Sequence, residues 1–464
     1  MQLPQSLLSS LQNVKGFNKE AFESVHHSGE QITSIRLNPN KLSATLQPAQ
    51  ILAGLDVAAV DPVPWNSYGY YLSVRPSFTA DSLFHAGAYY VQEASSMFLE
   101  EALKQTTNLN QPIKVLDLCA APGGKSTLIQ SLILDKSLLV SNEVIKTRVS
   151  VLAENITKWG AANVIVTNND PADFKKLPAY FDVIVVDAPC SGSGLFRKDP
   201  KAINEWSEQN VELCCQRQER ILTDILPSLK EGGILIYSTC SFSTAEDEAI
   251  AGWLIKSHAL QTIRLQIKSE WNIVESMDAE TNAYGYRLYP DQLKGEGFFI
   301  GAFVKPESTN PDQYEGRPKL KSERLTPKEI EVLKPWLKST DDFFFIKQQE
   351  EIIALPVNME KILADIQSAL YIKKAGVKLG TIIRSELIPD HELALSNIIS
   401  KKVPAIEVDK ETALQYLRRQ EIKLDNNLTG WALITYLQLP LGWIKMLPNR
   451  INNYYPKEWR ILNK

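Results

Sequence analysis

Residues 113–133 read IKVLDLCAAPGGKSTLIQSLI, and this stretch decides the fold. An apolar run over 113–118 meets a loop of small residues and then the periodic LIQSLI of a helix. The same alternation returns downstream, with strands expected over 138–142, 164–167, 181–187, 234–239 and 298–304. A helix is expected over 146–159, where Val149, Leu152, Ala153 and Ile156 form one stripe. Continuous apolar runs such as VIVVD leave no solvent-facing alternation, so the strands should form a parallel sheet buried on both faces. The expected fold class is α/β.

In doubly wound sheets ligands sit beyond the carboxyl ends of the strands, where a loop of small residues lets backbone approach them. The loop here is Cys119, Ala120, Ala121, Pro122, Gly123, Gly124 and Lys125. A Walker A loop would need glycine at Cys119, and the dinucleotide pattern G-x-G-x-x-G is absent. A cofactor without a pyrophosphate fits, and S-adenosylmethionine is one. Its ribose needs an acid after the second strand, where Glu143 stands; Asp170, after the third, is the candidate for the adenine amine. Strand-end acids also cap the next helix, and for Asp170 the two readings are nearly balanced.

The fourth strand ends in DAPCSGSGLFRKDP and the fifth in STCS, so Cys190 and Cys240 both fall at the ligand edge. Packing is the usual fate of a cysteine, and Cys214 and Cys215, inside a helical stretch, fit it. Two cysteines in turns at neighbouring strand ends point to chemistry instead. A thiolate added to carbon 6 of a pyrimidine makes carbon 5 nucleophilic toward a methyl donor, splitting one hard step into two. Asp187 is placed to hydrogen-bond or protonate the cytosine N3 as charge develops there. The mechanism alone does not say which thiol attacks.

DLCAAPGGKST, SNEVIKTRV, VDAPCSGSGLFRKDP, IYSTCSFSTAEDE, RLNPNK at Arg36, YYVQEASSM near Tyr90 and the closing GWALITYLQLPLGWIKMLPNRINNYYPKEWRI together resemble the NOL1/NOP2/Sun RNA cytosine-C5 methyltransferases. The resemblance covers most of the chain, and RKDP with the Trp-rich ending is most similar to the bacterial members that act on 16S-type small-subunit ribosomal RNA. It implies a Rossmann-like methyltransferase sheet with an N-terminal α+β RNA-binding domain (1–110), a catalytic domain (111–305), a linker and pre-PUA region (306–370) and a PUA-like RNA-binding module (371–464). It further implies that 119–125 wraps the methionine and ribose of S-adenosylmethionine, that Glu143 takes the ribose and Asp170 the adenine, and that Asp187 and Lys125 lie at the catalytic centre. By the same resemblance Cys240 is the nucleophile and Cys190 serves product release, whereas DNA C5-methyltransferases use the Pro-Cys thiol. Asp170 is followed by Pro171, where relatives more often carry a small residue, so Asp173 is the alternative adenine contact.

With 464 residues the chain should form about three units. Its net charge of −4 speaks against indiscriminate nucleic-acid binding. Residues 1–370 carry 35 basic and 45 acidic side chains, and 371–464 carry 15 and 9, so the basic share lies at the C-terminus. There Lys445, Arg450, Lys457 and Arg460 alternate with Trp443, Tyr454, Tyr455 and Trp459, and the charges are the expected RNA-facing part while the tryptophans read as core. Arg197 and Lys198, just past Cys190, and Arg36 are further candidates for RNA contact. Removing 371–464 is expected to weaken RNA binding and leave cofactor affinity largely intact. The five cysteines have no metal-ligand or disulfide spacing, so no metal is expected. The start lacks a signal-peptide pattern and no apolar run spans a bilayer, which predicts a cytoplasmic protein with no membrane contact. The resemblance implies ribosomal RNA or the small ribosomal subunit as partner, and a monomer is expected. A transfer-RNA cytosine methyltransferase and a non-catalytic assembly factor are the alternatives. An amine methyltransferase would carry a DPPY-type loop where DAPC stands.

Overall fold

The computed structural model describes residues 2–55, 57, 60–308, 314–424 and 428–462. Its centre is a sheet built on β5 (Lys114–Asp117), β6 (Leu138–Asn142), β7 (Val164–Thr167), β8 (Phe181–Asp187) and β9 (Leu229–Thr239), all parallel. Val115, Leu139, Val183, Val185, Ile234 and Ile236 belong to the core on one face. Their neighbours Leu116, Val140, Ile184, Val186, Leu235 and Tyr237 belong to the core on the other, which is why the strands read as unbroken apolar runs. Truncating Ile236, fully buried, to alanine should cost roughly 2–5 kcal/mol.

The sheet is not wholly parallel. β10 (Gln261–Ile263), β11 (Val274–Met277), β12 (Tyr284–Leu288) and β13 (Phe298–Val304) extend it antiparallel beyond β9; the helix Glu248–His258 leads from β9 to β10, and the four strands then follow one another through loops with no crossover α-helix between them. On the far side β17 (Ile372–Ala375) pairs antiparallel with β7, so the order is β11-β12-β13-β9-β8-β5-β6-β7-β17 with β10 beside β13.

Before this sheet, β1 (Thr33–Leu37), β2 (Val60–Pro62), β3 (Gly69–Leu72) and β4 (Tyr89–Val91) form an antiparallel sheet in the order β2-β3-β1-β4. After it, β14 (Glu323–Arg324), β15 (Phe343–Gln348), β16 (Glu351–Pro356), β18 (Val377–Ile383) and β19 (Glu386–Pro389) make a five-stranded sheet. Residues 305–308 and 314–322, within the stretch expected as linker, carry no regular structure, and from Glu323 onward the expected linker and pre-PUA region is folded, with position 370 falling between the strands β16 and β18 of this sheet. The hairpin between β15 and β16 was hidden by the charges of KQQEE at its turn, where Gln349 takes φ +58°. The last sheet holds β20 (Ala405–Glu407), β21 (Gly430–Tyr436), β22 (Leu439–Leu447) and β23 (Arg450–Asn453). It packs on the N-terminal unit through Leu83, Tyr416, Ile434 and Tyr455. No helix among the described residues is long and apolar enough to cross a membrane.

Candidate active site

The loop after β5 turns into the helix Gly124–Leu132 through Gly123, whose φ of +118° suits glycine. Ala120 N donates to Asn142 O at 2.8 Å, Arg148 Nη2 to Ala121 O and Asn155 Nδ2 to Pro122 O at 2.8 Å, so β6 and the helix Lys146–Trp159 hold the loop open. Asp117, at the strand end, accepts from Ser126 Oγ through Oδ2 at 2.6 Å, while its buried Oδ1 has no hydrogen-bond partner among the described residues. Burial first, with Asp187 and Glu143 adding, pushes the Asp117 carboxyl up to about 7 against the opposing pull of Ser126 and Lys125. Burial likewise raises the Cys119 thiol.

Lys125 Nζ lies 2.7 Å from Asp187 Oδ2, and Ser238 Oγ donates to Asp187 Oδ1 at 2.8 Å. Burial would depress the Lys125 ammonium, but the charge of Asp187 and the hydrogen bond to it outweigh this and hold it above the ordinary lysine value. Beyond Asp187 the chain runs to Cys190, and beyond Thr239 to Cys240. Because β8 and β9 are neighbours in register, with Asp187 opposite Ser238, the two thiols face each other at 3.1 Å. The Cys190 thiol is raised by its hydrogen bond with Cys240, then by burial, then by the charges of Cys240 and Glu246. Gly194 N donates to Cys240 O at 2.8 Å, and a Cβ on Gly194 would lie 2.7 Å from that oxygen, so only glycine fits there.

A cavity of about 170 Å³ opens between the loop and β4, lined by Cys119–Pro122, Gly124, Lys125, Asp187 and Lys198 on one side and Tyr90–Glu93 and Ser96 on the other. The N-terminal unit thus forms one wall. Gln92, Glu93 and Ser96 were not singled out from the sequence, although they stand in the YYVQEASSM motif. Lys198 is exposed at the rim.

The acids expected at the cofactor are less uniform. Glu143 is buried after β6, accepts from Ile145 N at 2.9 Å and lies 3.5 Å from Arg148. Asp170 caps the turn Pro171–Lys176 by accepting from Ala172 N and reaches Arg220 at 3.3 Å. Asp173 pairs with Lys176 at 3.0 Å.

Two residues expected to meet RNA are buried in protein instead. Arg36 is 2% exposed: Nε donates to Gln92 Oε1 at 2.8 Å, Nη2 to Thr127 Oγ1 at 2.6 Å, and its guanidinium lies 4.6 Å from the centre of the Trp159 ring. Arg197 is 8% exposed and donates to Gly295 O at 3.2 Å and Glu30 O at 2.7 Å. Both guanidinium groups lie buried where the catalytic domain meets the N-terminal unit, Arg36 reaching across to Thr127 and Arg197 to Glu30, and burial, not a lack of donors, keeps them from a phosphate, since Arg197 Nε has no hydrogen-bond partner among the described residues. At the C-terminus Arg450, Lys457 and Arg460 are exposed, and Lys445 sits half-buried, 5.2 Å from the Trp431 ring centre. Trp443 and Tyr455 are core, and Tyr454 is 42% exposed.

Comparison with known proteins follows this layout. A family model described as 16S rRNA methyltransferase RsmB/F matches residues 104–304. Models described as the N-terminal domain of 16S rRNA methyltransferase RsmF and the methyltransferase RsmF PUA domain match 3–94 and 403–461. Ribosomal RNA small subunit methyltransferase F of Aliivibrio fischeri is 30% identical over 416 residues, covering 86% of this chain and 85% of its own. The protein of the same name from Shewanella woodyi is 29% identical over 477 residues, covering 99% and 97%. Among solved structures, a methyltransferase homolog protein from Pyrococcus horikoshii aligns with TM-score 0.52 and 27% identity over 65% of this chain and 100% of that one. NSun6 from Pyrococcus horikoshii, solved with SFG, aligns with TM-score 0.53 over 66% and 99%, and at 20% identity shares the fold. From sequence motif to sheet order to relatives, the chain belongs to the 16S rRNA methyltransferase RsmB/F family.

Proposed function

We propose that the protein forms 5-methylcytidine in small-subunit ribosomal RNA, using S-adenosylmethionine and a covalent adduct between Cys240 and carbon 6 of the target cytosine. The observation that carries this reading is the pair of thiols 3.1 Å apart beside the Lys125–Asp187 ion pair. Transfer to an amine or hydroxyl gives no use for two opposed thiols, whereas attack on a pyrimidine uses both.

The residues present fit the cofactor. The buried unpartnered Oδ1 of Asp117 is an acceptor awaiting a donor such as an ammonium, and the loop 119–125 gives backbone a close approach. Glu143 is the candidate for the ribose hydroxyls, and Asp170, with Asp173 as alternative, for the adenine. When bound, S-adenosylmethionine supplies an electrophilic methyl group.

Cys240 acts as a thiolate, forming the bond to carbon 6 and leaving carbon 5 electron-rich. Asp187, held by Lys125 and Ser238, hydrogen-bonds the cytosine edge as charge grows on the ring. Once the methylated carbon 5 gives its proton to a solvent water, the electron pair of that carbon–hydrogen bond restores the double bond between carbons 5 and 6, and the bond from carbon 6 to Cys240 breaks with its electron pair returning to sulfur. Cys190, whose proton is held tightly by its surroundings, donates a hydrogen bond to that sulfur as it leaves. The base must be unstacked to reach the thiol, and Lys198 at the cavity rim is placed for the phosphate beside it. Arg450, Lys457, Arg460 and Lys445 supply the more distant RNA surface.

Incubation with labelled S-adenosylmethionine and small-subunit rRNA, followed by nucleoside analysis, tests the reading. Label in 5-methylcytidine is expected; label in another nucleoside, or none with any RNA, would overturn it.

A further inference from the structure

Glu246 lies in STAEDE, downstream of the second cysteine, and the mechanism above gives it no role. It is fully buried. Among the described residues no lysine or arginine pairs with it; its carboxylate is held by neutral donors. Oε1 accepts from Ser191 N at 2.7 Å and from Gln218 Nε2 at 3.3 Å. Oε2 accepts from Ser191 Oγ at 2.5 Å and from Ser241 Oγ at 2.6 Å. Ser191 directly follows Cys190, and Ser241 directly follows Cys240. One carboxylate therefore grips both cysteine-bearing turns at the residue next to each thiol. The nearby Ser193 Oγ accepts from Phe242 N at 2.9 Å, a second tie between the same turns.

A helix-capping glutamate would take its donors from the first turn of its own helix, here Glu248–His258. Glu246 takes none from it. A buried anion without a cation is costly unless its lone pairs are filled, and four donors from two strand ends and the helix Glu208–Ile225 fill them.

We infer that Glu246 is a positioning residue of the reaction, clamping the Cys190 turn to the Cys240 turn so that the two thiols stay opposed. This rests on the proposed use of both cysteines. Its charge adds a second effect, since Glu246 is one of the groups that keep the proton on Cys190, behind the Cys240 hydrogen bond, burial and the Cys240 charge.

The test is made on the full chain with Glu246→Ala, Glu246→Gln and the double variant Ser191→Ala/Ser241→Ala. Diamide converts two opposed thiols to a disulfide, its nitrogen–nitrogen double bond taking up the two protons and two electrons, and peptide mapping measures the Cys190–Cys240 product. The wild-type pair should close readily, and Glu246→Ala and the double variant should close at least about tenfold more slowly, since bridging demands specific geometry. Glu246→Gln, which can still bond both turns, should stay within about threefold of wild type. In methylation assays Glu246→Ala should lose about 10- to 100-fold in kcat, with cofactor Kd and the KM for RNA within about twofold. Unchanged disulfide formation in both Glu246→Ala and the double variant would overturn the inference, as would a loss of activity that only follows the fraction unfolded. If Glu246→Ala does not fold, the double variant and Glu246→Gln decide by the same two readouts. The diamide arm reads thiol geometry whatever the reaction, so failure of the nucleophile assignment, seen as methylation by Cys240→Ala, stays distinguishable from failure of the clamp.

Discussion

Asn169 holds both backbone groups of Tyr371: its Oδ1 accepts from Tyr371 N at 2.9 Å and its Nδ2 donates to Tyr371 O at 2.9 Å. Asn168 N adds a bond to the same carbonyl at 3.2 Å. The loop that carries Asp170 is thereby tied to the residue just before β17, so removing 371–464 would take away three of its hydrogen bonds. Asn169→Ala should weaken S-adenosylmethionine binding by about 3- to 10-fold, the size of one or two lost net hydrogen bonds. Calorimetric titration checks this, and an unchanged Kd would separate the two regions again.

The two cysteines should fail differently. Cys240→Ala should abolish both methylation and the protein–RNA adduct, while Cys190→Ala should accumulate an adduct that survives denaturing gels. An exchange of these outcomes would assign the nucleophile to Cys190.

Asp117 gives a pH signature to the unliganded protein. Its folded pKa, about 7, lies above the usual carboxyl value, so its contribution to stability is complete below about pH 4 and lost as pH rises toward 7. Asp117→Asn should flatten that decline by roughly 1–3 kcal/mol, measured as urea unfolding at pH 4.5 and 7.5. Equal slopes in both proteins would show that the carboxyl titrates normally.

Basic residues divide into two classes with separable readouts. Arg36→Ala removes a buried cation bonded to Gln92 and Thr127 and stacked near Trp159, and should lower stability by about 2–4 kcal/mol with the salt dependence of RNA binding unaltered. Lys457→Ala and Arg460→Ala should leave the melting temperature nearly unchanged and reduce the slope of log K against log salt by about 1 each. A steep slope retained in both would move the RNA surface elsewhere.

Much of the central sheet was legible because a strand buried on both faces announces itself locally. The expected 138–142, 164–167, 181–187 and 298–304 coincide with β6, β7, β8 and β13, and the expected helix 146–159 with Lys146–Trp159. What the sequence hides is pairing across distance. Nothing in IKKA predicts that β17 joins a strand some two hundred residues earlier, and nothing in RLNPNK or GLFRKDP says that each arginine is buried, because burial of a charge depends on partners such as Thr127 and Gly295. The cysteines were legible as a pair at two strand ends, since neighbouring parallel strands carry their ends to one edge. Glu246 was not, because its use lies in serines from two other turns.

β17 also has a bearing on solubility. Without it β7 would show VIVT, a β-branched run with unpaired backbone groups, as an open sheet edge, the form of surface on which chains pair with one another. The C-terminal region therefore guards the catalytic domain against self-association. A catalytic fragment ending before Tyr371 would tend to aggregate even where each of its own residues is sound.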